Sequence, residues 1–204
     1  MPEIPILLLA AGKSSRIGKP KQLLPWGKST LFEHAMATAL TFKRHPLFVV
    51  VGAYHEQLLP LIPPQGVEIV INSQWKEGMG NSIAVGLNAI LKSCPKASGV
   101  LILLADQPLI DNIYLTQFLN QVAINKKQII ASSYPDGSLG VPAFFDAFYF
   151  KEILGFSRDQ GAQKLMAKYA QHISRIPGKK LLADVDTEEA YRELLSQLSL
   201  NPQS

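Results

Sequence analysis

The chain has 204 residues, of which 47% are hydrophobic and 18% charged, a composition that is typical of a folded globular protein and excludes a disordered one. Cys94 is the only cysteine, which excludes an intrachain disulfide and a cysteine-based metal cluster. The first residues lack the basic start of a signal peptide, and the apolar runs are far shorter than the ~20 residues of a membrane span. We therefore expect a cytoplasmic protein without a membrane partner, forming one domain over residues 1–204.

The formal net charge of +4 is concentrated near the amino terminus. Residues 1–28 contain a single acid, Glu3, and five cations, so the remainder of the chain is neutral overall; the cations are Lys13, Arg16, Lys19, Lys21 and Lys28. A nucleic-acid-binding protein is expected to spread basic residues along a face and to place aromatic residues among them. The compact distribution found here predicts a site for a small anion and no nucleic-acid partner.

Short apolar runs alternate with helical patterns along the first two thirds of the chain. The runs predict strands that are buried on both faces, at 4–10, 47–52, 67–72, 100–105 and 128–132. Helices are expected at 30–42, 82–92 and 111–123, beginning at the capping residues Thr30, Ser82 and Asp111, with a short helix at 54–62 that Pro60 weakens. This alternation predicts a parallel, doubly wound sheet that binds its ligand at the carboxyl ends of the strands.

The alternation stops after residue 133. A strong turn signal at 135–138 is followed closely by an apolar run at 141–145, which predicts a hairpin-like excursion with antiparallel pairing. A helix at 161–171, a strand at 172–177 and a final helix from Thr187 to about 198 complete the chain. The predicted fold class is α/β, a single-domain three-layer α/β/α arrangement with a mostly parallel sheet and a small antiparallel excursion.

The segment 7–25, LLLAAGKSSRIGKPKQLLP, contains most of the cations and carries the strongest functional signal. Its small residues allow backbone N–H groups to approach an anion closely, Arg16 offers a planar fork for phosphate oxygens, and Lys21 supplies a compact charge. A Walker loop is excluded because five residues separate Gly12 from Gly18 and Pro20 follows Lys19. The G-x-G-x-x-G pattern of dinucleotide-binding proteins is also missing here.

This segment resembles the signature loop of the MobA-like nucleotidyltransferases, L-A-A/G-G-x-S-x-R-x-G-x-x-K-x-L-L-P, at every defined position. The resemblance implies a Rossmann-like fold of the nucleotide-diphospho-sugar transferase type. It also implies a magnesium-dependent transfer of an NMP group from an NTP to a phosphorylated acceptor. The residues that it assigns to nucleotide binding in this loop are Ala10, Ala11, Gly12, Ser14, Arg16 and Lys21.

Asp106 follows an apolar run in the sequence LLADQP. A carboxylate at this position needs a cation or hydrogen bonds, and it could be a hard oxygen ligand for Mg²⁺ or could cap the next turn. The family's metal-binding D-x-P favours the metal, and the resemblance makes Arg16, Lys21 and Asp106 the catalytic residues. The segment LADVDT at 182–187 resembles the family's D-I-D-T, which implies that Asp184 or Asp186 shares the metal; we favour Asp184, because Asp186 is placed to help cap the last helix.

Two weaker resemblances concern the base and the acceptor. The turn EGMGNS at 77–82 resembles a family turn that lies against the base, which makes Gly78 and Ser82 candidate base contacts. Gly140 and Pro142 flank a valine where relatives carry Gly-His-Pro, and they are the candidate acceptor-binding residues. Residues 161–163 read Gly-Ala-Gln where many relatives carry Gly-Ala-Arg, and the candidates to replace the missing charge are Arg158 and Lys164.

The sequence Ala10-Ala11-Gly12 is similar to the version found in molybdenum-cofactor cytidylyltransferases, whereas guanylyltransferases more often show L-A-G-G. This implies CTP as donor, molybdopterin or the molybdenum cofactor as acceptor, and a molybdenum hydroxylase as the enzyme that receives the product. The alternatives are a guanylyltransferase, an enzyme acting on a sugar phosphate or another phosphorylated alcohol, and a non-catalytic carrier of the cofactor. Intact Arg16, Lys21 and Asp106 disfavour the carrier.

Overall fold

The computed structural model of the protein describes residues 3–14, 16–123, 125–157 and 161–200, with the backbone alone for 198–200. The strands of the described part are β1 (Ile6–Ala10), β2 (Pro25–Trp26), β3 (Ser29–Thr30), β4 (Leu47–Val51), β5 (Val67–Ile71), β6 (Gly99–Leu104), β7 (Ile129–Ser133), β8 (Leu139–Asp146) and β9 (Ile173–Pro177). Its helices are α1 (Leu31–Leu40), α2 (His55–Leu58), α3 (Met79–Ser93), α4 (Asn112–Gln121), α5 (Phe150–Leu154), α6 (Ala162–Lys168) and α7 (Glu188–Leu200).

Seven of the strands form one sheet in the order β5-β4-β1-β6-β8-β7-β9. β1 lies between β4 and β6 and runs parallel to both, and β8 runs antiparallel to its neighbours β6 and β7. The predicted mostly parallel sheet with an antiparallel excursion is therefore confirmed. Because β1 and β6 are parallel neighbours, the loops that follow them open at the same edge of the sheet.

Helices cover both faces of the inner strands of this sheet. The prediction that the strand at 67–72 is buried on both faces is wrong, because β5 is an edge strand on which Ile69 and Ile71 are exposed. Alternate residues of β1 pack on opposite faces, Leu7 and Leu9 against α3 and α5, and Leu8 and Ala10 against α1 and α4. Every residue of β1 is buried. The sheet and its two helical layers give the expected three-layer architecture.

Two of the three predicted helix starts are confirmed. Thr30 caps α1 in a complete capping box with Glu33, and the Asp111 carboxylate caps α4 by accepting a hydrogen bond from the backbone N–H of Tyr114 at 2.7 Å. The predicted start of the third helix at Ser82 is wrong, because α3 begins at Met79 after Gly78. Gly78 has a φ of 93°, a left-handed conformation that glycine adopts readily, and this turns the chain into the helix earlier than a serine cap would.

The last helix packs on the segment that follows the first loop. α7 and the preceding Val185 form a small apolar cluster with Trp26 and Leu31, and the Tyr191 hydroxyl donates to the carbonyl of Pro25 at 2.7 Å. The Thr187 hydroxyl accepts from the backbone N–H of Ala190 at 3.2 Å, as expected for a cap. This cluster holds the chain around residue 185 next to the amino-terminal loop.

Some short elements differ from the prediction. The segment 54–62 consists of α2 followed by a 3-10 turn, and the helix expected at 161–171 ends at Lys168 before another 3-10 turn. The two-residue strands β2 and β3 and the short helix α5 have too few residues to show a periodic pattern in the sequence. Within the described residues, no helix is long and apolar enough to cross a membrane.

Replacing Thr30 by alanine removes one half of the capping box. We expect Thr30→Ala to lower the free energy of unfolding by about 1 kcal/mol, because the backbone N–H of Glu33 loses its partner. Urea denaturation followed by circular dichroism measures the change. Thr38→Ala in the last turn of the same helix is the control and should leave stability nearly unchanged; equal losses in both variants would contradict the capping role.

Candidate active site

A cavity of about 410 Å³ opens at the carboxyl ends of β1 and β6. It is bounded by the loop after β1, by the start of α3 and by the chain after β6. Every residue that the sequence assigned to nucleotide binding lines this cavity. Two acids line it as well, Asp106 after β6 and Asp186 before α7. These residues are Ala10, Ala11, Gly12, Ser14, Arg16, Lys21, Gly78, Ser82, Asp106 and Asp186.

Gln22 holds the loop after β1 in a closed shape. This side chain is buried, and its Nε2 donates to the carbonyl oxygens of Gly12 at 3.0 Å and Ala10 at 3.4 Å. The hydroxyl of Ser14, a residue with a φ of 55°, donates to Gln22 Oε1 at 3.2 Å and accepts from the backbone N–H of Lys21 at 3.1 Å. The Ser14 side chain therefore ties together the two ends of the loop in this structure.

Lys21 lies between two carboxylates. Its Nζ contacts Asp106 Oδ2 and donates to Asp186 Oδ1 at 2.8 Å. The side chain is only 13% exposed, and burial by itself would lower the pKa of Lys21, but the charges of Asp106 and Asp186 and their hydrogen bonds raise it above its ordinary value. Lys21 is therefore a fixed positive charge inside the cavity at neutral pH.

Arg16 reaches the same acid from the rim of the cavity. Its Nη1 donates to Asp186 Oδ2 at 2.8 Å, and its side chain is 71% exposed. The pKa of Asp186 is lowered, first by the hydrogen bond from Lys21 and also by the charge of Arg16. Both carboxylate oxygens of Asp186 are thus engaged by cations of the first loop.

A backbone hydrogen bond of Val185 holds the segment with Asp184 and Asp186 next to Asp106. Val185 is fully buried, and its N–H donates to the carbonyl oxygen of Asp106 at 2.9 Å. The segment 183–186 is irregular and not a strand, so Asp184 and Asp186 do not face the same cavity as an extended strand would require. Asp186 lines the first cavity, and Asp184 lines a second one.

Asp184 is a half-buried residue whose carboxylate has one buried oxygen without a hydrogen-bond partner among the described residues. Burial, and then the charge of Asp106, raises the pKa of Asp184 to about 6. The Oδ1 atoms of Asp184 and Asp106 are both buried, and neither accepts a hydrogen bond from the described residues. In that part of the chain, no three acidic, histidine or cysteine side chains gather into one metal-binding group. These two oxygens, which have no partner, are therefore the atoms best suited to bind a cation.

Ser82 is held by a buried amide. Asn72 lies at the end of β5, and its Nδ2 donates at 3.0 Å to Ser82 Oγ and at 3.0 Å to Asn81 Oδ1. Ser82 Oγ lies 3.5 Å from the carbonyl oxygen of Gly78. Gly78 and Ser82, the two predicted base contacts, line the cavity. That they contact a base stays a prediction.

A second cavity, of about 550 Å³, adjoins the first, because Met79 and Leu104 line both. Gly140 lines it together with Asp184, Tyr134, Gln163 and Lys164. Gly140 packs so closely that a Cβ atom there would lie 2.8 Å from the Tyr134 ring. Its predicted companion Pro142 is buried behind this wall, and its carbonyl accepts from the Ser132 hydroxyl at 2.8 Å. Arg158 lies outside the described residues.

The structure adds residues that the sequence patterns did not single out. Gln22 occupies an undefined position of the signature, and its only signal is a polar residue between Lys21 and two leucines. Trp75 and Lys76 line the first cavity, with the Lys76 ammonium 5.6 Å from the Trp75 ring centroid. They lie on a 3-10 turn, whose three residues show no periodicity. Tyr134 has its pKa raised to about 12 by burial and then by Asp184.

The remaining reactive side chains have structural surroundings. Cys94 is buried, and burial, followed by a hydrogen bond with Glu3, raises the pKa of its thiol to about 11. The rings of His34, His45 and His55 lie within 3.0 Å of backbone carbonyl oxygens. These contacts account for the four side chains as parts of the folded structure.

The sheet order and the cation-bearing loop at the carboxyl end of β1 define an α/β protein of the doubly wound type, which binds its ligands at this edge of the sheet. A family model described as the MobA-like NTP transferase domain matches residues 6–173. The chain therefore belongs to the MobA-like NTP transferase family and is a nucleotidyltransferase by class.

Curated relatives and solved structures agree with this membership. The purine catabolism protein PucB of Bacillus subtilis is 28% identical over 196 residues, which cover 91% of this chain and 92% of PucB. Nicotine blue oxidoreductase of Paenarthrobacter nicotinovorans is 35% identical over 109 residues, 53% of this chain, and the match spans 52% of that relative, about half its length.

The crystal structure of Rv0371c from Mycobacterium tuberculosis H37Rv has a TM-score of 0.82 and 26% identity, covering 96% of this chain and 98% of the other. A complex of Rv0371C with manganese has a TM-score of 0.79 and 26% identity, covering 95% and 98% of the two chains.

Replacing Gln22 by methionine tests its role in the loop. We expect Gln22→Met to lower the free energy of unfolding by about 1–3 kcal/mol, because the carbonyls of Ala10 and Gly12 and the hydroxyl of Ser14 lose a buried partner. Denaturant titration measures the loss. Gln57→Met, an exposed position on α2, is the control and should change stability by less than about 0.5 kcal/mol. Equal stability of both variants would contradict the assignment.

Proposed function

We propose that this chain, as one nucleotidyltransferase domain over residues 1–204, transfers CMP from CTP to the phosphate of molybdopterin or the molybdenum cofactor and releases pyrophosphate. The observation that carries the proposal is the meeting of Arg16 and Lys21 with Asp106 and Asp186 around one cavity. The cations suit a triphosphate, and the acids supply oxygen ligands beside it. Turnover needs this combination, whereas a carrier that only binds the product does not.

The wall of the first cavity supports a pyrimidine donor. Ala11 lines it, and the Ala11 side chain packs against Gly52, where an added Cβ would lie 2.9 Å from the Ala11 methyl group and 2.7 Å from Trp75 Cβ. A methyl group at this position makes the wall of the cavity bulkier than a glycine would, which favours the smaller base. This agrees with the similarity of Ala10-Ala11-Gly12 to the cytidylyltransferase version of the loop, and CTP is therefore the proposed donor.

Asp106 and Asp184 are the proposed ligands of Mg²⁺. Each has a buried Oδ1 without a partner among the described residues, whereas both oxygens of Asp186 already accept from cations. Carboxylate oxygens are the ligands that Mg²⁺ prefers, and a bound Mg²⁺ neutralises phosphate charge and orients the reacting oxygens. The manganese complex of Rv0371C supports a divalent metal in a protein similar to this one.

The second cavity is the proposed acceptor site. Its lining includes the apolar side chains of Ile83, Leu139 and Met166 together with Tyr134. Apolar surface of this kind suits the ring system of a pterin, and Lys164 supplies a cation for an anionic group. Because Met79 and Leu104 line both cavities, an acceptor phosphate at their junction lies next to the donor.

The proposed reaction is an in-line displacement. An oxygen of the acceptor phosphate forms a bond to the α-phosphorus of CTP, the bond from that phosphorus to the β-phosphate oxygen breaks, and pyrophosphate leaves with the electron pair. A phosphate monoester is already anionic at neutral pH, so the protein does not need a strong general base. Arg16 and Lys21 stabilise the charge that develops on the leaving pyrophosphate.

The donor is tested by a thermal-shift series with CTP, GTP, ATP and UTP, each with Mg²⁺. A ligand at 100 times its dissociation constant adds about 2.7 kcal/mol of stability, which raises the melting temperature by several degrees. We expect the largest shift with CTP. A larger shift with GTP would contradict the cytidylyl assignment and leave the reaction type standing.

Turnover is tested by pyrophosphate release from CTP in the presence of molybdopterin. We expect Lys21→Ala to lower kcat by about two to three orders of magnitude, since it removes a charge from the leaving group, and Asp106→Asn to cause a loss of at least that size. Lys28→Ala and Asp136→Asn, both at exposed positions, are the controls and should keep near-normal turnover. Binding without pyrophosphate release in the unmodified protein would favour a carrier.

A further inference from the structure

Asp186 engages both cations of the proposed triphosphate site. One oxygen accepts from Arg16 Nη1 at 2.8 Å, and the other accepts from Lys21 Nζ at 2.8 Å. A triphosphate that binds to Arg16 and Lys21 needs the same N–H groups. The carboxylate of Asp186 and the donor therefore compete for the two side chains.

The position of Asp186 does not depend on these ion pairs. The preceding residue, Val185, is fully buried against Trp26 and Tyr191, and its N–H is bonded to the carbonyl of Asp106. The backbone therefore presents Asp186 to the cavity whether or not a cation is bound. Arg16 is mostly exposed and lies on the first loop, so it is the partner with room to move.

The two acids around Lys21 also differ in burial. The Asp106 side chain is 18% exposed and that of Asp186 is 47% exposed. Ion pairs that water can reach contribute little to stability and are easily exchanged, whereas a buried pair is costly to break. A triphosphate carries several negative charges and can replace the Asp186 contacts while Lys21 stays next to Asp106.

We propose that Asp186 is a positioning residue that occupies Arg16 and Lys21 before the donor binds and is displaced by its triphosphate, and that it is not a metal ligand. This inference rests on the proposed function, because it takes these two cations to be the triphosphate contacts. Asp186 keeps both side chains oriented into the cavity, and in doing so it sets the affinity for the phosphate chain.

The neighbouring ion pair provides a matched control. Lys19 Nζ lies 3.5 Å from Glu188 Oε2, and this pair joins the same loop to the first turn of α7. Glu188→Gln removes one negative charge close to Asp186 but frees neither Arg16 nor Lys21. If net charge alone governed the affinity for pyrophosphate, both Glu188→Gln and Asp186→Asn would raise that affinity. If Asp186 competes for the two cations, only Asp186→Asn would raise it.

The test measures binding of inorganic pyrophosphate by isothermal titration calorimetry in EDTA at physiological salt. We expect Asp186→Asn to raise the affinity about three- to tenfold, since the exposed pair with Arg16 and the partly buried pair with Lys21 no longer compete. Asp186→Glu, which keeps the charge, should bind like the unmodified protein, and Glu188→Gln should differ by less than about twofold. Equal affinity of Asp186→Asn and the unmodified protein would overturn the inference.

A second measurement separates this role from metal binding. Mn²⁺ binding followed by electron paramagnetic resonance should be unchanged in Asp186→Asn and weakened about tenfold or more in Asp184→Asn. Loss of Mn²⁺ affinity in Asp186→Asn would overturn the inference. The proposed function fails separately if Arg16→Ala binds pyrophosphate as well as the unmodified protein, because the loop would then not be the phosphate site.

Discussion

The contact between the Lys21 ammonium and the Asp106 carboxylate is the interaction on which the site depends. Each group comes from a loop at the end of a buried strand, and each would be costly to bury alone. The contact forms only because β1 and β6 are parallel neighbours, so that their loops open at one edge. In this arrangement Asp106 Oδ1 has no partner among the described residues, and it is the atom that we propose as a ligand of a divalent cation.

The segment around residue 185 completes this arrangement, although Asp186 lies more than 160 positions after Lys21 in the chain. The Val185 N–H bonds to the Asp106 carbonyl, and the apolar cluster with Trp26 and Tyr191 holds α7 against β2 and β3. Two acids that are close in sequence are thereby separated, with Asp186 toward the cations and Asp184 toward the second cavity. Although they are close in sequence, the two acids therefore have different electrostatic environments. The pKa of Asp186 is lowered, and that of Asp184 is raised.

Two cations of the site, Arg16 and Lys21, are already paired with carboxylates of the protein. Gln22 closes the loop from the inside, while Asp106 and Asp186 orient its cations from the outside. Such preorganisation reduces the ordering that a bound triphosphate would otherwise require. The adjoining apolar cavity offers a contrasting environment for an acceptor, and the two environments meet at Met79 and Leu104.

The sequence by itself determined the fold class, the family and many of the residues that line the first cavity. Continuous apolar runs, caps such as Thr30 and Asp111, and the signature from Leu9 to Pro25 are local patterns that depend on neighbouring residues. Only the tertiary structure decided that α3 begins at Met79, that Gln22 closes the loop, and that Asp184 and Asp186 face different cavities. The separation of the two aspartates depends on contacts between residues far apart in the chain, including the Val185–Asp106 hydrogen bond, and no local pattern records it. The start of α3 depends on the backbone conformation of Gly78, and the loop closure depends on the hydrogen bonds of one buried amide, neither of which apolar periodicity or capping patterns encode.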